Sequence, residues 1–339
     1  MADQGEVDPL DHTSEGASPA ASSRGDARLA AGARIGRYQL RDVLGEGGMG
    51  IVWSAHDPDL DRTIALKVIK RGDAPPQLRL RLLREARAMA RLKHPNVLTV
   101  YEVGTEGDRD YIAMELVDGG PLEDWLRTNP GDREIVEALL DAGRGLAAAH
   151  QAGLVHRDFK PHNVLRRAAD ARVLLTDFGL ARGTGDAGDA GDAAPPTVPG
   201  RGPVRAGGSR LDGSHDSVLD TALTQTGMLI GTPAYMAPEQ FAGQEPDPRT
   251  DQFAFCVTAW QALTGARPFG GSTIDELRRA ACAGVGEVQA ALPPAVRAIL
   301  ARGLDPDPDR RWPDLDQLLE ALEQVTRPAR PRWWLPAAG

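Results

Sequence analysis

Short runs of alternating or β-branched residues dominate the chain from residue 38 to residue 115. Gly, Asp and Pro separate these runs, so each run predicts a strand that ends in a turn. Because the runs are short and closely spaced, they predict a small, mostly antiparallel sheet. The predicted strands span 38–43, 51–56, 63–69, 97–103 and 110–115.

Helical spacing of apolar residues takes over after residue 120. The stretch 132–152 is amphipathic, whereas 251–264 is apolar almost all round, which predicts a helix inside a core. One helix at 76–93 interrupts the strands. A strand-rich lobe followed by a helix-rich lobe predicts an α+β fold. Weaker helical patterns lie at 273–283, 294–303 and 314–325.

Three segments fall outside these patterns. Residues 1–34 are rich in Ala, Ser, Gly and Asp and predict a disordered leader. The stretch 183–226 contains the run "GDAGDAGDAA" and predicts a mobile insertion, because it has too little apolar surface to offset its ordering entropy. At the end, 326–339 combines arginines with "WWLPAAG", which favours the start of a juxtamembrane segment in a longer chain over a tail packed on the surface.

Composition excludes several classes of protein. The chain has 339 residues, 41% of them apolar, which suffices for a large core. Its net charge is −9 and its basic residues are scattered, which argues against nucleic acid as a partner. Only Cys256 and Cys282 are present, so a disulfide framework is not expected. With no secretory signal and no membrane-length apolar run, we expect a cytoplasmic domain, tethered to a membrane only if the parent chain continues beyond Gly339.

Two charged residues stand where the pattern predicts core. Lys67 lies in "IALKVI", a strand that is apolar on both faces, where a cation is costly without an anion. Glu85 shares a helix stripe with Met89 and Leu92. An ion pair between Lys67 and Glu85 would satisfy both charges, whereas a surface pair of Glu85 with Arg81 is the alternative.

Ordered motifs accompany these charges. They are the glycine-rich "GEGGMGIV" at 45–52, "LVHRDFKPHNVL" at 154–165, "DFG" at 177–179 and "APE" at 237–239. With Lys67 and Glu85 in place, the sequence resembles the eukaryotic-like (Hanks-type) protein kinases, specifically the bacterial serine/threonine kinases. The resemblance covers about 38–325 and implies a bilobed protein-kinase fold. The implied kinase domain is 35–325, with an N-lobe at about 38–117 and a C-lobe at about 118–325.

The resemblance implies a role for each polar residue of these motifs. Asp158 would accept the hydrogen bond of the substrate hydroxyl, and Lys160 would approach the γ-phosphate. Lys67, paired with Glu85, would bind the α- and β-phosphates. Asn163 and Asp177 would hold Mg²⁺, or Mn²⁺, through oxygen ligands.

The implied ATP site lies between the glycine-rich loop and a hinge after the fifth strand. Val52 would cover the adenine, and Met114 would guard the back of the pocket. The adenine would contact the backbone of residues 115–117. The implied ATP-binding residues are Leu44, Gly45, Glu46, Gly47, Gly48, Met49, Gly50, Val52, Ala65, Lys67, Met114, Glu115 and Val117.

Other residues resemble the family's structural and regulatory positions. Arg157 would bind a phosphate on the activation segment, where "LTQTGMLIGT" suggests Thr224 or Thr226. His156 and Phe178 are expected to pack as links between their two loops. The remaining expected positions are Thr232 against the catalytic loop ("HRDFKPHN", 156–163), Glu239 paired with Arg311, and Asp251 bracing the catalytic-loop backbone.

The expected activity is transfer of the γ-phosphate of ATP to Ser or Thr hydroxyls of proteins in signal transduction. Autophosphorylation of the activation segment, through a transient dimer of kinase domains, would switch it on. A pseudokinase scaffold is the first alternative. A small-molecule kinase of the aminoglycoside or choline type is the second, although such enzymes usually lack the "APE" segment.

Overall fold

The computed structural model describes residues 29–47, 50–69, 76–107, 109–178, 232–286 and 292–326. For 76–82 and Thr232 only the backbone is described. The predicted insertion at 183–226 and most of the predicted leader and tail lie outside these residues.

The N-terminal lobe, or N-lobe, is built on an antiparallel sheet. Within the described residues it has six strands in the order β1-β2-β3-β4-β6-β5. Alternation of apolar and polar positions puts Tyr38, Leu40, Trp53 and Leu66 into one buried cluster on this sheet. The strands are β1 (Arg34–Ile35), β2 (Tyr38–Gly47), β3 (Gly50–Asp57), β4 (Arg62–Ile69), β5 (Val100–Glu106) and β6 (Arg109–Met114).

One helix, α1 (Pro76–Arg91), crosses this lobe between β4 and β5. Ala86 and Met89 are buried on its inner side and join the cluster that also contains residues of the second lobe. The sequence predicts a strand from residue 97, but β5 begins only at Val100. Residues 96–98 instead bind the second lobe: Leu98 N donates to Leu175 O at 2.9 Å, and Leu175 N donates to Asn96 O at 2.9 Å.

The C-terminal lobe, or C-lobe, is mainly helical, as predicted. Its centre is α5, where a continuous run from Thr250 to Trp260 is buried. The helix starts three residues before the predicted position, because Asp247 caps it by accepting from Arg249 N and Thr250 N. The helices are α2 (Leu122–Leu126), α3 (Asp132–Gln151), α4 (Pro238–Phe241), α5 (Pro248–Thr264), α6 (Ile274–Ala283), α7 (Pro294–Gly303) and α8 (Leu315–Thr326).

A small sheet in the C-lobe was not predicted. It consists of β7 (Gly119–Pro121), β8 (Val164–Arg167) and β9 (Val173–Leu175). Strands of three or four residues are too short to show an alternating pattern, so the sequence does not predict them. Their position matters, because β8 follows the polar stretch around Asp158 and β9 precedes Asp177.

The predicted leader extends too far. Residues 29–34 belong to the N-lobe, where Leu29 and Ala33 pack against the sheet cluster. Leu40 N donates to Ala33 O at 2.9 Å, and Gly32 N donates to Leu40 O at 2.9 Å. The sequence prediction missed these backbone hydrogen bonds because the preceding residues have the polar composition of a disordered segment.

None of the helices in the described residues combines the length and the apolar character that crossing a bilayer requires.

The predicted Glu239–Arg311 ion pair is formed in the C-lobe. The guanidinium of Arg311 donates to both carboxylate oxygens of Glu239, at 2.7 and 2.9 Å. Both side chains are buried, and Thr250 Oγ1 also donates to Glu239 at 2.9 Å. Burial tends to raise the pKa of Glu239, but the hydrogen bond and charge of Arg311 outweigh it and hold the pKa below 4.5.

Removing one partner of this pair should be costly. We expect Arg311→Met to lower the free energy of unfolding by about 3–5 kcal/mol, because it leaves a buried carboxylate without its cation. Urea denaturation measures this. Arg133→Met is the control, since Arg133 pairs with Glu137 on the surface, and it should change stability by less than about 0.5 kcal/mol.

The same pair predicts a pH dependence. Because the folded-state pKa of Glu239 is depressed, the unfolded chain binds the proton first as the pH falls. The pair therefore contributes stability above about pH 4.5 that is lost below it. Glu239→Gln should flatten the acid limb of the stability curve, and an unchanged slope would contradict this account.

Candidate active site

The strand lysine and the acid of "DFG" meet between the lobes. Lys67 lies in β4 opposite Val52 and Ile112 and is only 8% exposed. Its Nζ donates to Asp177 Oδ1. Burial tends to raise the pKa of Asp177, but the charge and hydrogen bond of Lys67 hold it below 3.8. The aspartate is therefore a carboxylate at neutral pH.

The ion pair predicted between Lys67 and Glu85 is not formed, although both residues are described. Glu85 Oε1 instead accepts from Arg157 Nη1, and Lys67 forms an ion pair with Asp177. Arg157 Nη2 also approaches Glu245 Oε1 at 3.4 Å. The pairing depends on which cation lies nearest to each carboxylate in the fold, and sequence spacing does not decide that.

The stretch "HRDFKPHN" forms a compact polar loop that ends in a 3-10 helix at Pro161–Asn163. Lys160 Nζ donates to Asp158 Oδ2 at 2.8 Å. Asn163 Nδ2 donates to Asp158 O at 2.8 Å and to Asp158 Oδ2 at 3.2 Å. Thr176, next to Asp177, donates its N–H to Asn163 O at 3.0 Å. The structure thus connects Lys67, Asp177, Asn163, Asp158 and Lys160.

Asp251 braces this loop, as predicted. Its carboxylate is 1% exposed and accepts from His156 N at 2.6 Å and from Arg157 N at 2.7 Å. Arg157 has a φ of 65° and Asp177 a φ of 56°, a region that costs energy for residues other than glycine. Two charge-assisted hydrogen bonds from a buried helix offset that cost at Arg157.

His156 and Phe178 pack against each other, as predicted, with ring centroids 4.7 Å apart. The imidazole is fully buried, and burial lowers the pKa of His156 below 6.5, so the ring is neutral. Its Nε2 lies 3.0 Å from Thr176 O, which can only accept, so Nε2 carries the proton. His156 therefore joins the loop of Asp158 to the strand that leads to Asp177.

An apolar pocket adjoins these polar groups. Leu98, Ile112 and Met114 line it together with Lys67 and Asp177. Met114 and Ala65 also belong to a buried apolar cluster, against which Val52 and Val117 pack. Glu115 N donates to Thr99 O at 2.9 Å. These apolar side chains and the adjacent hinge backbone, residues 115–118, have the character of a site for a flat heterocycle.

The glycines of the loop at 45–52 divide into two kinds. A Cβ on Gly45 or Gly47 would meet no described atom within 4 Å. A Cβ on Gly50 would lie 2.2 Å from the carbonyl oxygen of Val68. Gly50 is thus required by the packing of β3 on β4, whereas Gly45 and Gly47 border open space. Leu44 and Glu46 lie in β2 with exposed side chains, and Gly48 and Met49 fall outside the described residues.

Comparisons with known proteins agree with this geometry. A family model described as a protein kinase domain matches residues 38–197. PknA, a serine/threonine-protein kinase of Mycobacterium tuberculosis, is 35% identical over 311 residues, which cover 87% of this chain and 63% of PknA. PknJ of the same organism is 34% identical over 321 residues, which cover 91% of this chain and 48% of PknJ. The chain belongs to the eukaryotic-like serine/threonine protein kinases of bacteria.

The kinase fold is also found among solved structures. The PknI kinase domain of Mycobacterium tuberculosis is similar with a TM-score of 0.61 at 25% identity, covering 88% of this chain and 99% of that one. The predicted bilobed α+β kinase fold is thereby confirmed. This kinase chain spans between about half and two thirds of the length of PknJ and PknA.

The cleft of the kinase can be tested for a magnesium site. Asn163 uses its Nδ2 as the donor to Asp158, so its Oδ1 is the atom left to ligate a cation. Asp177 supplies a second oxygen from a carboxylate that stays ionised. One amide and one carboxylate oxygen fit Mg²⁺, which keeps several waters and phosphate oxygens in its shell. The residues therefore fit the ion.

Several residues of the kinase site escaped the sequence analysis. His150 Nε2 lies 2.8 Å from Asp251 Oδ2, and Leu174 joins the apolar cluster of Met114. Leu174 was detectable, because it belongs to the apolar run just before "DFG". Arg167, which binds Glu115, and Glu245, which contacts Arg157, have no signal in the chain.

Some expected positions of the kinase stay untested. The phosphorylation candidates Thr224 and Thr226 lie outside the described residues. Thr232 begins a 3-10 helix, Thr232–Tyr235, but its side chain is not described.

The two kinds of glycine predict different phenotypes. Gly50→Ala should lower the free energy of unfolding by about 1–3 kcal/mol, and the Tm by several degrees, because the added methyl group would push β3 away from β4. Gly47→Ala should leave the Tm nearly unchanged while weakening ATP binding. Differential scanning fluorimetry with and without ATP measures both. Equal Tm losses in the two variants would contradict the distinction.

Proposed function

We propose that this kinase transfers the γ-phosphate of ATP to Ser or Thr hydroxyls of protein substrates. One observation carries the proposal: Lys67 of the N-lobe and Asp158, Asn163 and Asp177 of the C-lobe are linked through hydrogen bonds in one cleft beside an apolar pocket. Phosphoryl transfer depends mainly on positioning and on neutralising charge, and this set supplies both.

Each residue of the set has a distinct task. Asp158 accepts the hydrogen bond of the attacking hydroxyl and so orients it. Lys160, 2.8 Å from Asp158 Oδ2, places a positive charge beside the transferred phosphate. Lys67 binds the α- and β-phosphates once it leaves Asp177. In this family a lysine two residues after the catalytic aspartate accompanies Ser and Thr substrates.

Asn163 and Asp177 would hold the metal ion. Bound there, Mg²⁺ would supply positive charge that screens the phosphates. Asp177 is paired with Lys67 in this structure, so the same carboxylate would serve both the lysine and the metal. Because Mn²⁺ accepts the same oxygen ligands, it is expected to substitute.

Activation follows from the competition among the ion pairs. Arg157 holds Glu85 in this structure, and Lys67 holds Asp177. A phosphate on Thr224 or Thr226 is a stronger partner for Arg157 than a carboxylate, because it has more charge and more acceptor oxygens. Once Arg157 binds that phosphate, Glu85 would pair with Lys67 in place of Arg157, and Asp177, no longer paired with Lys67, would be the residue that holds the metal together with Asn163.

The activity can be tested directly. With ATP and Mg²⁺, the full chain should transfer labelled phosphate to itself or to a generic protein substrate. Asp158→Asn and Lys67→Met should each reduce the rate by about a hundredfold or more, since each removes a charge that the reaction needs. Asp141→Asn, which alters a surface pair with Arg144 on α3, is the matched control and should retain the parent rate.

A parent chain as inactive as Asp158→Asn, with either Mg²⁺ or Mn²⁺, would refute phosphotransfer. If that chain still bound ATP, the pseudokinase scaffold would be the better description.

Autophosphorylation makes a second, separate prediction. Mass spectrometry of the purified chain should find phosphate on Thr224 or Thr226, and Asp158→Asn should lack it. If two copies act on each other through a transient dimer, the initial rate should rise with the square of the protein concentration. A fully active chain without phosphate on either threonine would contradict the proposed activation.

A further inference from the structure

A line of polar groups runs along the outer face of the hinge, residues 115–118, from one lobe to the other. In the N-lobe the guanidinium of Arg62 lies 3.9 Å from the ring centroid of Tyr101. Tyr101 in turn lies close enough to Glu115 and Arg167 to interact with both charges. Burial and the carboxylate of Glu115 raise the pKa of Tyr101. Arg167 belongs to the C-lobe, so the line crosses the interlobe boundary.

The central contact of this line is the ion pair of Glu115 and Arg167. Arg167 Nη2 donates to Glu115 Oε1, and both side chains are 22% exposed. Partial burial makes such a pair stronger than an open surface pair, because water screens it less. A second arm of the guanidinium donates to Asp170 Oδ2 at 3.3 Å, which fixes the orientation of the fork.

Both partners are connected directly to the proposed reaction site. Glu115 follows Met114 at the back of the apolar pocket, and its N–H is already bound to Thr99 O at 2.9 Å. Arg167 ends β8, the strand that begins directly after Asn163. Ala168 N donates to Asp118 O at 2.6 Å, so the end of β8 also binds the hinge backbone.

We infer that Arg167 is a positioning residue for the nucleotide: by holding the Glu115 side chain, it fixes the hinge backbone against the strand that carries the catalytic loop. The inference rests on the proposed function, because it assumes that adenine binds at the hinge. Without this ion pair, the hinge of the nucleotide-free kinase adopts several orientations. Only one of them binds nucleotide, so part of the binding free energy is spent on selecting it. Nucleotide affinity should therefore fall while the chemical step is preserved.

The test compares the full chain with Arg167→Met, using ATP itself as the probe. We expect the Kd for ATP, measured by calorimetry, and the KM for ATP to rise about threefold to tenfold, with kcat within about twofold of the parent. Arg172→Met is the matched control, since Arg172 lies 3.5 Å from the same Asp170 but does not contact Glu115. Its Kd should equal that of the parent.

Two further variants separate positioning from folding. Glu115→Gln keeps the shape of the side chain, and it should weaken ATP binding as much as Arg167→Met. The double variant should be no worse than either single one, because the two residues act through one contact. The exchange Glu115→Arg with Arg167→Glu should recover part of the affinity.

Unchanged ATP affinity in Arg167→Met and Glu115→Gln, or additive losses in the double variant, would overturn the inference while leaving the proposed function intact. Equal losses in Arg167→Met and Arg172→Met would also overturn it, since they would reflect general damage to the hairpin of β8 and β9. A parent chain that binds no ATP would remove the proposed function, and the inference with it.

Discussion

The carboxylate of Asp251 is the contact on which the geometry of the cleft depends. It accepts from His156 N and Arg157 N, and so holds the catalytic loop in a backbone conformation that Arg157 would otherwise avoid. Asp251 can do this because α5 is buried from Thr250 to Trp260 and is packed tightly in the C-lobe. The direction of Asp158 is thus set by a helix in the centre of the C-lobe.

Ion pairs above that loop join the two lobes. Lys67 of the N-lobe pairs with Asp177 of the C-lobe, and Glu85 of the N-lobe pairs with Arg157 of the C-lobe. A charge that competes for either cation therefore acts on the contact between the lobes.

Much of this molecule was predictable from its sequence, for physical reasons that differ by region. The helix α5 and the strand of Lys67 are continuous apolar runs, and burial leaves such runs few alternatives. The pairing of Glu239 with Arg311 and the bracing by Asp251 followed from the resemblance to a family. The short strands β7 to β9 lack periodicity, and the choice of partner for Lys67 depends on the position of α1, which no local pattern encodes. The Glu115–Arg167 contact joins residues 52 positions apart, and no local sequence pattern around either residue predicts it.

Besides the hinge, residues 96–98 join the two lobes, because they bind β9. Asn96 Nδ2 donates to Val173 O at 2.9 Å, and its carbonyl lies against α3, where a Cβ on Gly145 would be 2.4 Å away. Two attachments that lie side by side resist translation of one lobe past the other more than they resist rotation about the line that joins them. We therefore expect the cleft to open and close mainly by rotation about the line from residues 96–98 to the hinge.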